Sequence, residues 1–441
     1  MVFKKSISVK NSEIGPVYAY DWEIKPIKDI VAVNESNLNS ASDCKIIEYI
    51  DINSVEHGII NERTTMYLKD APTRARRILK EGDVLISTVR PNLKHYCIIR
   101  NEVHCTIAST GFAVLTSKNV DPAFLFYSIT TETFTNYLSA IAETSTTAYP
   151  SITASVISES KIPYPRITEQ KAIANILSSL DSKIELNQQM NKTLESIAQT
   201  LFKHWFIDFE FPDEDGQPYK SSGGEMADSE FGGIPKGWKY AHLKDILSTL
   251  ESGSRPKGGA TSIGVPSIGA ENIIGLGHYE YASTKYVPTD FYKNMKSGKV
   301  QDFDVLLYKD GAQIGRKSMF ALGFPFEEFC VNEHVFILRS SEILNQYYLY
   351  FWLDLPYITE TITNLNANSA QPGINKQGVG SIPILIPNKA VIEKFGNLVN
   401  PFIKSIFLNS KESKKIAEIR DLLLPKLVTG KIRVPLEDTN V

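Results

Sequence analysis

The side chains best suited to binding chemistry in this chain are basic groups gathered at two places. Between Asp70 and Arg100, seven Lys and Arg residues stand against three Asp and Glu residues. A shorter basic run in the second half holds Lys293, Lys296, Lys299, Lys309, Arg316 and Lys317. Such patches in a chain of net charge −3 suit the binding of phosphate groups, and ordinary solvated surface is the alternative for either patch alone.

Residue patterns for catalysis or metal binding are missing from the sequence. No GxGxxG, GxxxxGKS/T, HExxH or GxSxG motif occurs, and the seven His residues form no cluster. The four cysteines form neither a CxxC pair nor a metal-ligand spacing; they are Cys44, Cys97, Cys105 and Cys330. We therefore expect no metal site, a reducing compartment, and a chain that binds instead of catalysing.

Length and composition indicate a folded protein of several domains. The 441 residues are 42% hydrophobic and 22% charged, which suits two to four globular domains and argues against disorder. No apolar run approaches the length of a membrane span, and the start MVFKKSISVK lacks a secretion signal. These features predict a cytoplasmic protein that does not contact a membrane.

The sequence repeats itself once. Asp83-Val84-Leu85 returns as Asp304-Val305-Leu306, 221 positions later, and Leu186-Asn187 returns as Leu408-Asn409, 222 positions later. A period of half the chain indicates one large unit that was duplicated, not a solenoid of short repeats. It predicts pseudo-twofold symmetry and two similar surfaces, as a reader of a bipartite target would need.

Each half has the pattern of a mixed α/β (α+β) domain followed by a long helix. The first half predicts strands and then a helix over Val84–Val89, Cys105–Leu115 and Pro122–Ala142. The second half repeats this order over Val305–Leu307, Cys330–Leu338 and Leu344–Ile362. We therefore predict two similar globular domains that alternate with two long helices.

The first long helix is predicted from Thr168, a suitable N-cap, because no Gly or Pro follows until Pro212. One heptad position is apolar in both helices except for a single Asn at the same layer; its residues are Ile173, Leu180, Asn187, Leu194 and Leu201, then Phe395, Phe402, Asn409, Ile416 and Leu423. If the helices pack antiparallel, Asn187 and Asn409 meet and fix the register. Pro401 is expected to kink or break the second helix, and Pro425 to stop it.

Composition also divides the chain into segments. A stretch rich in Gly, Pro, Ser and acidic residues, residues 208–237, is predicted to be a linker. The predicted order is a first domain (1–165), a long helix (166–207), the linker (208–237), a second domain (238–387), a second long helix (388–430) and a tail (431–441).

The run TEQKAIANILSSLDSKIELNQQMNKTLESIAQTLFKHWFIDFEF, from Thr168 to Phe211, resembles the central conserved region of type I restriction–modification specificity (S) subunits. Lys389–Gly430 matches it in the second half, and GDVLISTVRP (Gly82–Pro91) also looks like that family. The likeness covers the full length, because order and duplication agree. The copies differ at Pro401, at Glu412, and in the loop DGAQIGR (Asp310–Arg316), which replaces TVRPN and indicates that the two domains read different DNA sequences.

The resemblance implies a non-catalytic subunit that gives a type I complex its DNA specificity through two target-recognition domains. The implied partners are double-stranded DNA, two methyltransferase (M) subunits and two ATP-driven restriction (R) subunits. No cofactor is expected on this chain; S-adenosylmethionine, ATP and Mg are expected on the partner subunits, and target adenines would be flipped into the M subunits. The alternatives are a self-sufficient nuclease or methyltransferase with an unrecognised site, and a scaffold that binds only proteins.

The implied DNA-specificity function suggests which residues contact DNA. In the first domain, phosphate contacts are predicted for Arg74, Arg76 and Arg77, base or backbone contacts for Arg90 and Lys94, and loop contacts for Asn92, Ser145, Thr146 and Tyr149. In the second domain the candidates are Lys309, Gln313, Arg316, Lys317, Asn366, Asn368, Gln371 and Asn375. Tyr149 and Gln371 each precede a Pro, so shaping a turn is their alternative role.

The two long helices are predicted to act as a ruler. A helix of some 37 residues spans about 55 Å, so antiparallel helices would hold two half-sites apart across an unread spacer. Removing one or two helical turns should then change the spacer length and leave both half-sites intact.

Overall fold

The computed structural model describes residues 21–38, 44–100, 105–144, 149–366 and 373–435. They form two compact units: unit 1 comprises the chain up to residue 182 and from 416 onward, and unit 2 comprises residues 183–415. Each unit thus holds one mixed domain and a part of both long helices. Among the described residues, no helix is long and apolar enough to cross a membrane.

Unit 1 contains short strands followed by helices. The strands are β1 Glu23–Pro26, β2 Val31–Val33, β3 Ile46–Ile50, β4 Val55–Glu56, β5 Ile59–Ile60, β6 Thr64–Tyr67, β7 Ala75–Ile78, β8 Val84–Ser87, β9 Tyr96–Ile98, β10 Thr106–Ser109, β11 Phe112–Ser117 and β12 Lys161–Tyr164. The helices are α1 Pro122–Ile129, α2 Glu132–Glu143, α3 Ala154–Glu159 and α4 Ile167–Phe206, of which α4 continues into unit 2.

Unit 2 repeats this order after an added hairpin. Its strands are β13 Met226–Ser229, β14 Gly232–Pro235, β15 Lys239–His242, β16 Leu247–Ser252, β17 Val265–Ile268, β18 Lys285–Val287, β19 Val305–Tyr308, β20 Lys317–Met319, β21 Cys330–Val331, β22 Val335–Ser340 and β23 Pro383–Ile386. Its helices are α5 Leu243–Ile246, α6 Thr289–Asn294, α7 Gln346–Asp354, α8 Pro356–Asn364, α9 Lys376–Gly380 and α10 Lys389–Leu427, of which α10 continues into unit 1.

The sheets of the two units have one topology. An antiparallel sheet has the order β2-β11-β8-β9 in unit 1 and β16-β22-β19-β20 in unit 2. A second sheet has four strands in unit 1, in the order β6-β3-β10-β7, and three in unit 2, in the order β18-β17-β21. The pair β3–β10 and the corresponding pair β17–β21 are parallel. The predicted duplication of a mixed α/β domain is therefore confirmed at the level of strand order.

Turns interrupt four of the predicted elements, one of which is Cys330–Leu338, where the structure has the two strands β21 and β22. The predicted strand Cys105–Leu115 is two strands, β10 and β11, with Thr110 and Gly111 between them. The predicted helix Pro122–Ala142 divides into α1 and α2, because the hydroxyl of Thr131 caps α2 by accepting from the Phe134 N–H at 3.2 Å. Its counterpart in unit 2 divides at Pro356, the first residue of α8.

The long helices pack antiparallel, as predicted. In unit 2 the ring centroids of Phe202 on α4 and Phe395 on α10 lie 5.6 Å apart, and the Lys183 ammonium pairs with Glu412 at 3.0 Å. From the first of these contacts to the second, the residue number falls along α4 and rises along α10, so the two helices run in opposite directions. In unit 1 the Arg420 guanidinium donates to Asp181 at 2.7 Å.

A buried polar layer joins the helices inside unit 2. The amide of Asn187 donates to the backbone carbonyl of Asn409 at 3.3 Å, to Glu412 at 2.8 Å and to the hydroxyl of Ser413 at 3.1 Å. The Asn409 amide donates to the side-chain oxygen of Asn191 at 2.9 Å. Asn187 and Asn409 therefore meet as predicted, but their side chains do not bond each other: Asn187 bonds the backbone of Asn409, and the Asn409 amide bonds Asn191. Because a shifted register would leave the buried amides of Asn187 and Asn191 unpaired, the layer specifies the pairing.

The predicted effects of the two prolines are wrong in part. Helix α10 continues through Pro401, which lies on its exposed face, while the flanking Val399 and Ile403 are buried. The loss of one backbone hydrogen bond there is offset by packing of the buried face. The helix also passes Pro425 and ends two residues later, at Leu427. Gly430, three residues beyond this end, takes a positive φ of 72°.

The segment predicted as a linker, residues 208–237, is folded within unit 2. Strands β13 and β14 pair as a hairpin in this segment. Phe211 stacks between Tyr219 and Trp238, at ring-centroid distances of 4.6 and 4.9 Å. Aromatic side chains spaced among the Gly and acidic residues thus attach the segment to the core, a role that its average composition conceals.

Two cysteines form a disulfide, which the sequence analysis did not predict. Cys44 precedes β3 and Cys105 precedes β10, and these parallel neighbours bring the two Cα atoms within 5.9 Å. A sequence separation of 61 residues matches no motif, so only the strand pairing reveals the pair. Cys97 and Cys330 are buried free thiols.

One half-buried acid on α4 is expected to make the stability of unit 2 depend on pH. Burial, together with the nearby charge of Asp354, raises the pKa of Glu195 to about 7. The ordinary value of 4.5 applies when the chain is unfolded, so the folded state holds more protons between these values and loses stability as pH rises through 7. We expect Glu195→Gln to stabilise unit 2 at pH 8 by about 1–2 kcal/mol, a figure reduced because the side chain is partly exposed. Urea unfolding at pH 5 and at pH 8 measures the effect.

The matched control is Glu185→Gln, an exposed residue on the same helix, which should leave the pH dependence of unfolding unchanged. A Glu195→Gln variant whose stability falls between pH 5 and pH 8 as steeply as the wild type would contradict the prediction.

Candidate nucleic-acid interface

In unit 1 the turn between β10 and β11 joins three separate segments. The N–H and the hydroxyl of Thr88 both donate to the carbonyl of Gly111 at 2.9 Å. The N–H of Thr110 donates to the carbonyl of Arg74 at 2.8 Å. We call this set of segments the unit 1 junction. It brings the loop after β8 beside the loop before β7, which the sequence separates by more than ten residues.

The unit 1 junction extends to the segment before α3. The N–H of Arg90 donates to the carbonyl of Pro150 at 2.8 Å, and the N–H of Ile152 donates to the carbonyl of Thr88 at 2.9 Å. The Arg90 guanidinium carbon lies 4.5 Å from the ring centre of Tyr149. Tyr149 is 58% exposed, so this pair forms a cationic, aromatic surface that is open to solvent.

Unit 2 has an equivalent junction at the turn between β21 and β22. The N–H of Lys309 donates to the carbonyl of His334 at 3.1 Å, as Thr88 does to Gly111 in unit 1. The N–H of Ile374 donates to the carbonyl of Lys309 at 2.9 Å, as Ile152 does to Thr88. We call it the unit 2 junction. The duplication thus preserves the backbone connections and leaves the side chains free to differ.

A chain of ionisable side chains covers the unit 2 junction. The guanidinium of Arg255 pairs with Glu333 at 2.9 Å, and the Nε2 atom of His334 lies 3.3 Å from the same carboxylate. The Nδ1 atom of His334 lies 3.1 Å from Asp310, which also pairs with Lys309. Unit 2 therefore offers both hydrogen-bond donors and acceptors, whereas an arginine on a tyrosine dominates unit 1. Readout of two different base sequences needs such a difference.

Comparison with known proteins identifies a matching family model and several relatives. A family model described as the type I restriction modification DNA specificity domain matches residues 20–196. The MjaIX specificity subunit of a type I restriction enzyme from Methanocaldococcus jannaschii is 29% identical, with 98% of each chain covered. The chain is similar to type I restriction enzyme specificity subunits over nearly its whole length.

Two further comparisons give a relative similar in sequence and a solved structure similar in fold. The HindI specificity subunit from Haemophilus influenzae is 28% identical over 83% of this chain and 90% of the relative. The fold is similar to the S subunit of a type I restriction–modification system from M. genitalium, with a TM-score of 0.54 at 16% identity, over 94% of this chain and 98% of the other.

Several residues predicted for DNA contact in unit 1 have polar partners. Arg74 donates to Asp51 at 2.5 Å and to the Tyr49 hydroxyl at 3.1 Å, and these contacts raise the pKa of Arg74. The half-buried Arg77 donates to the Asn37 side chain at 2.6 Å, and burial lowers the pKa of Arg77. Lys94 pairs with Glu132. Arg76 and Asn92 are exposed.

In unit 2, the prediction for Lys317 is wrong. Its side chain is 5% exposed, and its ammonium donates to the carbonyl of Leu353, to Asp354 and to the hydroxyl of Thr359. The residue lies on β20 with its side chain turned into the core. The sequence pattern could not show which of the two neighbouring basic side chains faces the core, because Arg316 is equally basic and is exposed.

The amide residues predicted for unit 2 have local structural roles. The Asn375 side chain caps α9 by accepting from the Gly378 N–H at 2.8 Å, and the Asn366 side chain accepts from the Gly373 N–H at 2.6 Å. Gln313 is exposed in the loop between β19 and β20. Four predicted residues lie outside the described residues: Ser145, Thr146, Asn368 and Gln371.

Sequence reasoning missed Arg255, Glu333 and His334. The signal available for the last two was the repeat itself, because they occupy the turn that corresponds to Thr110 and Gly111. Among the described residues, no group of three or more His, Cys, Asp and Glu side chains could hold a metal ion.

Proposed function

We propose that this chain supplies DNA-sequence specificity to a type I restriction–modification complex, with each unit contacting one half of a bipartite target. The observation that carries the proposal is the pair of junctions, which repeat one backbone framework under different side chains. Basic groups beside each junction would bind phosphates, and the junction side chains would read base edges in the major groove. The chain itself would perform no catalysis.

The helices provide a surface for the methyltransferase subunits. Leu186, Met190 and Ile197 on α4 are large, apolar and 50%, 43% and 46% exposed. At 100° per residue they lie within an arc of about 40° on one helix face. An exposed apolar stripe on a helix is typical of a protein interface, and we assign it to an M subunit, because an M subunit must be held beside the bound DNA.

The assembly would contain two M subunits and two R subunits around one specificity subunit in the cytoplasm. The repeat positions of Leu186 and Ile197 on α10, which are Leu408 and Ile419, are also 56% and 49% exposed, which supports two M subunits. S-adenosylmethionine would bind the M subunits, and ATP with Mg would bind the R subunits. The chemistry of methyl transfer and DNA cleavage would then lie outside this chain.

Removing a phosphate contact from either unit tests the proposal. Arg76→Ala in unit 1 or Arg316→Ala in unit 2 should each weaken DNA binding by the reconstituted M–S complex about 5- to 10-fold at every sequence, since phosphates carry no sequence information. The slope of log affinity against log salt should fall by about 1. Fluorescence anisotropy over a salt series measures both quantities.

The control is Lys220→Ala, a basic residue of the 208–237 segment whose removal should leave the binding and the salt slope unchanged. Wild-type affinity and slope in both Arg variants would contradict these contacts. DNA cleavage or methylation by the purified chain alone would favour the alternative of a self-sufficient enzyme.

A further inference from the structure

The backbone of Arg90 has a conformation that is unfavourable for its residue type. Its φ of 48° lies in the left-handed region, which an L-residue with a side chain rarely adopts. The position 221 residues later is Gly311, which also has a positive φ, of 125°. Glycine takes such a conformation readily. One copy of the repeat therefore uses the favourable residue, whereas the other retains an arginine.

The surroundings hold Arg90 in this conformation from both sides. Its N–H donates to the carbonyl of Pro150, and its own carbonyl accepts from the N–H of Leu93 at 2.9 Å. The next residue, Pro91, is buried and begins a short helical turn. Val89 forms a β-bridge with Ser151 immediately before it. Strain that a framework maintains in this way indicates a functional side chain.

The contacts of the Arg90 side chain differ from those of its basic neighbours. Arg74, Arg77 and Lys94 each bond a polar or acidic side chain, whereas the Arg90 guanidinium lies over the Tyr149 ring. Among the described residues, no carboxylate pairs with Arg90. A guanidinium that rests on an aromatic face keeps the N–H donors at its edge available for another ligand.

The chemistry of those donors selects one base. A guanidinium offers paired N–H donors in a fixed plane and has no acceptor. In the major groove guanine presents two adjacent acceptors, O6 and N7, whereas adenine presents one acceptor beside a donor. A phosphate contact requires only a positive charge, which a lysine or an unstrained arginine would supply. We infer that Arg90, supported by Tyr149, reads a guanine in the half-site of unit 1; this inference rests on the proposed function.

The unit 2 junction lacks this arrangement. Gly311 replaces the arginine, and the adjacent Asp310 carboxylate faces His334 and Lys309. The guanine contact therefore belongs to one half-site of the two. Replacing that G·C base pair should therefore weaken wild-type binding only when the change is made in the half-site that unit 1 contacts.

The test uses the M–S complex and duplexes in which each base pair of its methylated target is varied in turn. We expect wild type to lose about 10- to 100-fold in affinity when one particular guanine is replaced. In Arg90→Gly, which removes the side chain and favours the same backbone conformation, this discrimination should disappear at that position only. Tyr149→Ala should reduce it partially, and melting temperatures establish that each variant is folded.

Arg76→Ala is the matched control, since loss of a phosphate contact weakens binding equally at all sequences. A uniform loss of affinity in Arg90→Gly would overturn the inference, because it would identify Arg90 as a phosphate contact. A target with no guanine in either half-site would overturn it as well. Failure of the wild-type complex to recognise any bipartite target would instead contradict the proposed function itself.

Discussion

Inserting one heptad into each long helix is expected to lengthen the unread DNA spacer by about two to three base pairs, with both half-sites unchanged. The insertions belong after Ser182 in α4 and after Lys415 in α10, where unit 1 and unit 2 meet along the sequence. Seven residues add about 10 Å to a helix, and base pairs are stacked about 3.4 Å apart. Long-read methylation sequencing of cells that carry the extended complex measures the new spacing.

This design preserves the contacts within each unit. The polar layer around Asn187 and Asn409 lies entirely in unit 2, and the Arg420–Asp181 ion pair lies entirely in unit 1. A heptad insertion also preserves the apolar stripe of each helix, since the pattern repeats every seven residues. The loss of methylation at natural sites should be at least 100-fold, because the two half-sites could no longer be contacted together.

The control places the same seven residues between Ser222 and Gly223, in an exposed turn of the 208–237 segment. That insertion lengthens the chain without lengthening either helix, so the natural spacer should be retained. An unchanged spacer in the doubly extended variant would show that the helices do not set the distance. Loss of all methylation there, with normal folding, would show that the units must be joined at one fixed length.

The long helices were predictable because their signal is local. From Thr168 to Phe211 no Gly or Pro interrupts the heptads, and helix α4 covers Ile167–Phe206. Pro401 was misjudged because its effect depends on exposure. On the solvent-facing side of α10 a proline removes one hydrogen bond, while the buried face keeps its packing. Sequence alone does not show which side faces the core when apolar residues occur on both.

The junctions were only partly predictable, because backbone bonds between distant segments form them. The repeat identified the loops after β8 and β19, and these loops lie at the junctions. The partners of these loops did not follow from the sequence: Gly111 and His334 contribute carbonyl oxygens, which every residue possesses. Arg90 was identified by residue type, whereas its position over Tyr149 depends on the path of the chain.

Lys317→Met is expected to lower the free energy of unfolding of unit 2 by about 3 kcal/mol, because it removes a buried ammonium and leaves the partly buried Asp354 carboxylate without its partner. The ammonium donates to the carbonyl of Leu353 at 2.9 Å, to Asp354 at 3.1 Å and to Thr359 at 2.8 Å. Leu353 lies in the last turn of α7, where carbonyls lack helical partners and a cation is favourable.

Urea unfolding followed by tryptophan fluorescence measures this loss, since Trp205, Trp238 and Trp352 all lie in unit 2. Arg316→Met is the matched control: it changes the adjacent, exposed residue and should shift stability by less than about 0.5 kcal/mol while weakening DNA binding. The two substitutions therefore have different expected effects: Lys317→Met lowers the stability of unit 2, and Arg316→Met weakens DNA binding. A Lys317→Met variant that unfolds at the wild-type urea concentration would show that the buried ammonium is dispensable to the fold.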